Sequence, residues 1–185
     1  PKHLTCMDKP ILDSLGIDKN KPEKQQRNQT GSPILEEGDI LLNTTLAETS
    51  DWQQVDLPVV STLRHFCIET LSSYTEDNQA CISEVDLLDD KGQPIDKTKW
   101  EVVYVSSEQA DKNLGVAENL FDGDISSFWH TDPATEPGQP HRIIVDIKEI
   151  YKISALRFKV RKGAFLSGKV KEINVYGRPQ FFLFH

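Results

Sequence analysis

Val116-Ala-Glu-Asn-Leu-Phe-Asp-Gly-Asp-Ile-Ser-Ser-Phe-Trp-His-Thr131 packs three kinds of chemistry into one short segment. An acidic turn, Asp122-Gly123-Asp124, is followed by two hydroxyls, Ser126 and Ser127, then by Phe128, Trp129 and His130. A turn dense in Asp, Gly and Ser offers side-chain and main-chain oxygens in a small volume, as a hard cation such as Ca²⁺ requires. A Trp beside a His joins a flat apolar face to a hydrogen-bonding edge, which suits a sugar ring. The plainer alternative is a loop held by Asp-to-backbone hydrogen bonds over a buried Trp129, since large aromatics usually pack inside.

Working outward, the order of the flanking stretches carries more information than any one of them. Trp100-Glu-Val-Val-Tyr-Val-Ser-Ser-Glu108 precedes the acidic turn. Pro140-His-Arg-Ile-Ile-Val-Asp-Ile147, Ile153-Ser-Ala-Leu-Arg-Phe-Lys-Val-Arg161 and Gly168-Lys-Val-Lys-Glu-Ile-Asn-Val-Tyr176 follow it. This series, over about residues 99–177, resembles the galactose-binding-like β-sandwich. More narrowly, it is similar to the coagulation factor 5/8 type C (discoidin) domain and the family 32 carbohydrate-binding modules.

Alternation along the chain agrees with an all-β, antiparallel β-sandwich of jelly-roll kind. Residues 63–71, 80–88, 100–105, 153–160 and 169–176 alternate apolar with polar positions, as half-buried strands do. The nearly continuous apolar run at 143–147 predicts a central strand buried on both faces. Residues 34–60 read as short strands and loops, and 72–78 as a turn after which 80–88 runs as the partner of 63–71. Nothing between 34 and 177 demands a long helix. Residues 1–33 form an N-terminal arm or linker, with a short helix over 10–17, and 178–185 form a C-terminal tail.

The 63–71 and 80–88 pair also resembles the last two strands of a discoidin-like domain, placed before the motif that normally opens it. Residues 34–95 are therefore either the remnant of a preceding domain or the final strands of one circularly permuted sandwich. A half-sandwich alone would leave an unpaired edge and an open apolar face, which favours the permuted single fold. Sandwich termini lie close together, so permutation is geometrically easy.

Composition narrows the partners. The chain of 185 residues is 37% hydrophobic and 8% aromatic, enough for a compact core. A net charge of −8 argues against nucleic acid, which needs a basic stripe, and against docking on anionic membrane. No run of 18 apolar residues is present to span a bilayer. Three cysteines, Cys6, Cys67 and Cys81, do not make a disulfide framework. Cys67 and Cys81 could face one another across a hairpin, but buried free thiols are the expected state. Asn28-Gln-Thr30 and Asn43-Thr-Thr45 are glycosylation sequons of low specificity.

The resemblance implies a site for each of two ligands. A structural Ca²⁺ would be held by Asp122, by main-chain carbonyls at Ala117 and Asp124, by the Ser127 hydroxyl, and by a residue on the last matched strand. That position aligns with Asn174, with Glu172 two residues earlier, where the family commonly has Glu. A saccharide would meet His130, Arg161 and Ser167, with an aromatic platform among Phe165, Phe181 and Phe182. His130 can bond one hydroxyl, and the Arg161 fork can bridge two neighbours. His130 could instead be a structural histidine and Arg161 an ion-pair partner. His141 reads as a strand-start residue.

Enzyme activity is not expected. His130 and Asp132 lie too near in sequence to imply a triad, and no nucleophile elbow or phosphate-cradling loop is present. Asp122 and Asp124 are adjacent turn carboxylates, whereas glycosidase carboxylates flank a cleft. The resemblance therefore implies a non-catalytic module for terminal sugars of glycans, in an extracytoplasmic setting and accessory to a larger glycan-degrading or surface protein. A protein- or lipid-binding discoidin adhesion module is the alternative.

Overall fold

The computed structural model describes residues 31–134, 138–161 and 168–185. Among them are eight strands and three short 3-10 segments: β1 (Ile40–Thr45), β2 (Gln53–Thr70), β3 (Cys81–Ile82), β4 (Glu84–Asp89), β5 (Glu101–Val105), β6 (Trp129–His130), β7 (His141–Lys159) and β8 (Glu172–Arg178). Every named pairing between strands is antiparallel.

β2 and β7 organise the molecule. They are 18 and 19 residues long and pair as one antiparallel ribbon, against a usual strand of roughly 5–6 residues. The register shifts between Asp56 and Ser61 and again between Leu63 and His65. Pro58 lies in the first gap, where it has no N–H to give to a ladder. Lys148, at φ 73°, marks the matching irregularity on β7. The break separates two sets of neighbours. The half with His65–Thr70 carries β8 beyond β2 and β5 beyond β7, and β1 extends it past β8. The other half carries β4 on β7.

Both layers close on one core. Phe66, Ile68, Val145 and Ile173 come from the larger layer, and Val85, Leu87, Leu156 and Phe158 from the smaller. Phe66 meets Trp100 edge-on at 5.5 Å between centroids, and Trp100 leans on Phe121 at 5.6 Å. The fold is an antiparallel β-sandwich, as alternation indicated, and residues 143–147 are buried throughout.

Two expectations about pairing are corrected. Residues 80–88 do not partner residues 63–71. β2 pairs with β7 and β8, while β4 pairs with β7 in the other layer. The segment 71–79 is thus a crossing between layers rather than a hairpin turn. The apolar runs at 143–147 and 153–160, read as separate strands, are continuous within β7. Period-two alternation marks which face a residue takes but not which strand lies beside it.

The outer face of the larger layer has its own small cluster, Cys67, Ile144, Tyr176 and Phe182 with Leu35 and Tyr104 against it. The two ends of the described chain cover it, with Ile34 N–H donating to Leu183 O at 2.7 Å and Ser32 and His185 exchanging two bonds at 3.1 Å. Residues 1–30, including Cys6, the 10–17 helix and the Asn28 sequon, lie outside the described residues. Cys67 and Cys81 are both buried thiols outside any disulfide, on different strands with different partners.

The register places several loops at one end. Thr70 stands opposite both His141 and Ile173, and Thr45 stands opposite Glu172. The chain leaves β1 and β2 and enters β7 and β8 there.

Candidate functional site

The acidic loop is held from three directions. Asn119 donates to the carbonyls of Asn113 and Phe128 at 3.2 and 3.1 Å, closing the loop across its base. Asp122 Oδ1 accepts the Asp124 N–H at 2.9 Å, and Oδ2 accepts the Ser127 hydroxyl at 2.5 Å. Ser127 Oγ also lies 3.0 Å from the Asp124 carbonyl. Asp122, Asp124 and Ser127 are thus gathered by hydrogen bonds in one loop, with Ala117 opening the adjoining 3-10 segment.

The remaining carboxylate comes from elsewhere. Glu84, at the start of β4 and fully buried, accepts the Gly123 N–H at 3.2 Å. Burial pushes its carboxyl up to about 8; the Lys97 ammonium opposes that shift, and a hydrogen bond with Asp122 adds to it. Lys97 Nζ bonds both Glu84 and Asp86, the latter at 2.6 Å. Asn174, by contrast, is on the outer face of the larger layer, donating to Glu69 at 2.9 Å and accepting from Asn43 at 2.8 Å. Glu172 accepts from the same Asn43. Among the described residues, neither shares a hydrogen bond or ion pair with Asp122. The Ile82-Ser83-Glu84 run was the available signal, but it lies far ahead of the acidic turn in sequence.

A cation at this loop would meet few side-chain ligands. Among the described residues, no three His, Cys, Asp or Glu side chains converge as a metal site. Coordination would therefore draw on the carbonyl and hydroxyl oxygens beside the Asp122 and Glu84 carboxylates, which is the usual mixture for Ca²⁺.

His130 forms the core side of the same end. Trp129 and His130 pair with Ile82 and Cys81, and Trp129 is fully buried with its indole N–H on Ser107 O at 3.0 Å. His130 is also fully buried, with Nδ1 against the Thr131 carbonyl. Gly115 lies so close that an added Cβ would sit 2.9 Å from His130 Cβ. His141 donates from Nε2 to Asn78 O at 2.6 Å, and burial lowers its pKa, which keeps it neutral. It is a structural strand-start residue.

Arg161, at the end of β7, lays its guanidinium over the Phe128 ring at 4.4 Å. It lines a cleft of about 140 Å³ with the loop 47–50, Tyr74, Val160, Lys169 and Val170. The walls are tethered. Tyr74 donates its hydroxyl to Leu46 O and its N–H to Lys169 O, each at 2.7 Å. Lys159 Nζ holds Ser50 O at 2.7 Å, and Trp52, partly exposed, stacks under Arg157 at 4.9 Å. Arg161 is in the described cleft wall, and His130 is not.

The other proposed contacts separate. Ser167 and Phe165 lie outside the described residues. Phe181 packs on His65 at 4.0 Å with Arg64 over it at 5.5 Å. His65 is five residues from the Thr70 end of β2, about 17 Å along a strand, so Phe181 does not reach the site. Phe182 is in the outer cluster. Tyr74, Trp52 and Lys169 were not singled out by sequence, because isolated residues in polar loops carry no periodic signal.

The turn at Gly168 joins these parts. Its N–H is 3.1 Å from Asp77 Oδ2, and its carbonyl accepts the Cys81 N–H at 2.8 Å. With φ at +74°, a Cβ would meet Ala80 C and Cys81 N at 3.0 Å, both main-chain atoms that cannot give way. Gly168→Ala is expected to destabilise by about 2 kcal/mol; an unchanged urea midpoint would refute this.

Part of the chain matches known proteins. Residues 102–180 match the model of the F5/8 type C domain. A sialidase from Micromonospora viridifaciens is 33% identical over 84 residues, covering 44% of this chain and 13% of that protein. The family match contains the acidic loop, His130, Arg161 and strands β5 to β8, whereas Tyr74 and Glu84 fall before it. Residues 102–180 thus match the F5/8 type C (discoidin) domain, within an antiparallel β-sandwich to which β1, β2 and β4 also contribute.

Proposed function

We propose that this protein is a non-catalytic module that binds sugars of glycans. The observation that carries the reading is Arg161, backed by Phe128 and presented in a tethered cleft beside Tyr74. A planar guanidinium can bridge neighbouring hydroxyls, and an aromatic side chain can supply apolar contact to a ring. His130, two residues beyond Phe128, is fully buried rather than part of the cleft wall. The similarity to part of a sialidase supports attachment to a glycan-degrading or surface protein in an extracytoplasmic setting. There the module would raise local substrate concentration by weak, repeated attachment.

The cleft's described wall holds one carboxylate, Glu48, with Lys169 Nζ at 3.9 Å. Hydrolysis of a glycoside normally employs two flanking carboxyl groups, so the arrangement favours binding over turnover. We further read a structural Ca²⁺ held by Asp122, Ser127, the Ala117 and Asp124 carbonyls and Glu84. It would fix the loop that carries Phe128 and His130. Residues 34–95 and 99–177 are read as one permuted sandwich, because β2 from the first segment pairs with β7 and β8 from the second.

A glycan array with galactose-, N-acetylgalactosamine- and fucose-terminated ligands tests the reading. Selective retention on at least one class is expected. Absence of binding to every glycan, with binding to lipid vesicles or a protein partner instead, would replace it with the adhesion alternative.

A further inference from the structure

Of the three tryptophans in the chain, two belong to the core. Trp129 is fully buried and Trp100 is 6% exposed, whereas Trp52 is 37% exposed. A single exposed aromatic is ordinary on a protein surface, but this one is both held in place and set beside the cleft. It stands between the loop 47–50, which lines the cleft, and Gln53, the first residue of β2. Gln53 ties loop and strand together: its side-chain oxygen accepts the Ala47 N–H at 2.8 Å, and its amide donates back to Ala47 O at 3.2 Å. The Arg157 guanidinium lies 4.9 Å from the centre of the Trp52 ring, and Lys159 Nζ lies 6.0 Å from it. These two cations are alternate residues of β7 and so stand on one face of the strand. The same Lys159 Nζ bonds Ser50 O in the cleft wall at 2.7 Å, so a single ammonium group joins that wall to the indole.

The cleft itself is small. About 140 Å³ is well below the roughly 300–1,000 Å³ of a pocket that engulfs a drug-sized ligand. It takes part of one sugar and leaves the next unit of a glycan outside. Resting on the glycan-binding reading, we propose that Trp52 is a second sugar position: its exposed ring stacks on the unit next to the one in the cleft, so that the module favours a disaccharide or longer chain over the isolated sugar. The apolar C–H face of a pyranose packs against an aromatic ring. A ring already ordered by Arg157 and by its place at the start of β2 loses little freedom on contact, which keeps the cost of binding low.

Because the other two indoles are buried, quenching of tryptophan emission by acrylamide reports on Trp52. Galactose, N-acetylgalactosamine and fucose are titrated into the full chain, each as the free sugar and as the terminal unit of a disaccharide. For the class that binds, the disaccharide should bind about tenfold more tightly, the scale of covering one aromatic face. At saturation it should also shield Trp52 from acrylamide, which the free sugar should not. Calorimetry on Trp52→Ala should show the disaccharide advantage cut to about twofold or less while free-sugar affinity changes less than about twofold, and Trp52→Phe should restore part of the advantage. Shielding is read on the unaltered chain, so it decides the matter even where Trp52→Ala fails to fold. Equal affinities for free sugar and disaccharide, or no shielding at saturation, would overturn the inference and leave the glycan reading standing. A disaccharide advantage that survives Trp52→Ala would overturn it equally, leaving Trp52 only a packing role against Arg157 and Lys159. No binding of any of these sugars, together with an empty glycan array, would overturn both.

Discussion

Arg161→Ala is expected to lose glycan affinity by about 100-fold or more while the sandwich stays folded. Two hydrogen bonds from a charged fork contribute about 1.5 kcal/mol or more each, and about 2.7 kcal/mol is 100-fold in Kd. The truncation also removes the guanidinium from the Phe128 face at 4.4 Å, a contact of about 0.5–2 kcal/mol. A fall of several degrees in melting temperature would accompany the loss. Arg161→Lys separates the two effects. It retains the charge but not the planar fork, so an intermediate loss of about tenfold is expected with near-normal stability. Unchanged glycan affinity in a folded Arg161→Ala protein would sink the site assignment.

Glu84→Gln is expected to remove a pH dependence of stability. In chelator, the folded wild-type protein keeps a proton on Glu84 up to about pH 8, while the unfolded chain loses it near the ordinary Glu value. Between those limits the folded state binds more protons. Stability therefore falls as pH rises, by up to about 1.4 kcal/mol per unit. The loss begins above the unfolded value and is complete once pH passes the folded one. Glutamine does not titrate, so the variant should show a flatter profile, with its advantage over wild type growing toward pH 8. Calcium acts in the opposite sense, because a bound cation needs ionised carboxylates. Its stabilising effect on wild type should grow with pH, reaching about 2.7 kcal/mol at 100 times Kd. Glu84→Gln and Asp122→Ala should both lose that increment. Equal calcium shifts in melting temperature for wild type and Glu84→Gln would remove Glu84 from the ligand set. A wild-type profile in chelator that does not decline over this range would contradict the buried carboxyl.

What could be read in the chain was whatever is local. Two-residue alternation marked the strands, the Asp122-Gly123-Asp124 turn marked its own loop, and Trp129 was recognisable as core because a large ring beside strand residues is normally buried. Tertiary structure decided the partners. Both Asn174 and Glu84 sit on strands of suitable pattern, but only the pairing of β4 with the Lys159 end of β7 brings a carboxylate to Asp122. The register of β8 instead turns Asn174 toward Glu69. Phe181 looked like a platform because it is aromatic and near the end of the chain, yet the return of that segment across the outer sheet face sets it on His65. Tyr74, Lys169 and Arg161 meet only because three loops leave the sandwich at one end. Loop residues distant in sequence become neighbours through strand register, and register is set by long-range burial rather than by any property of the loops themselves.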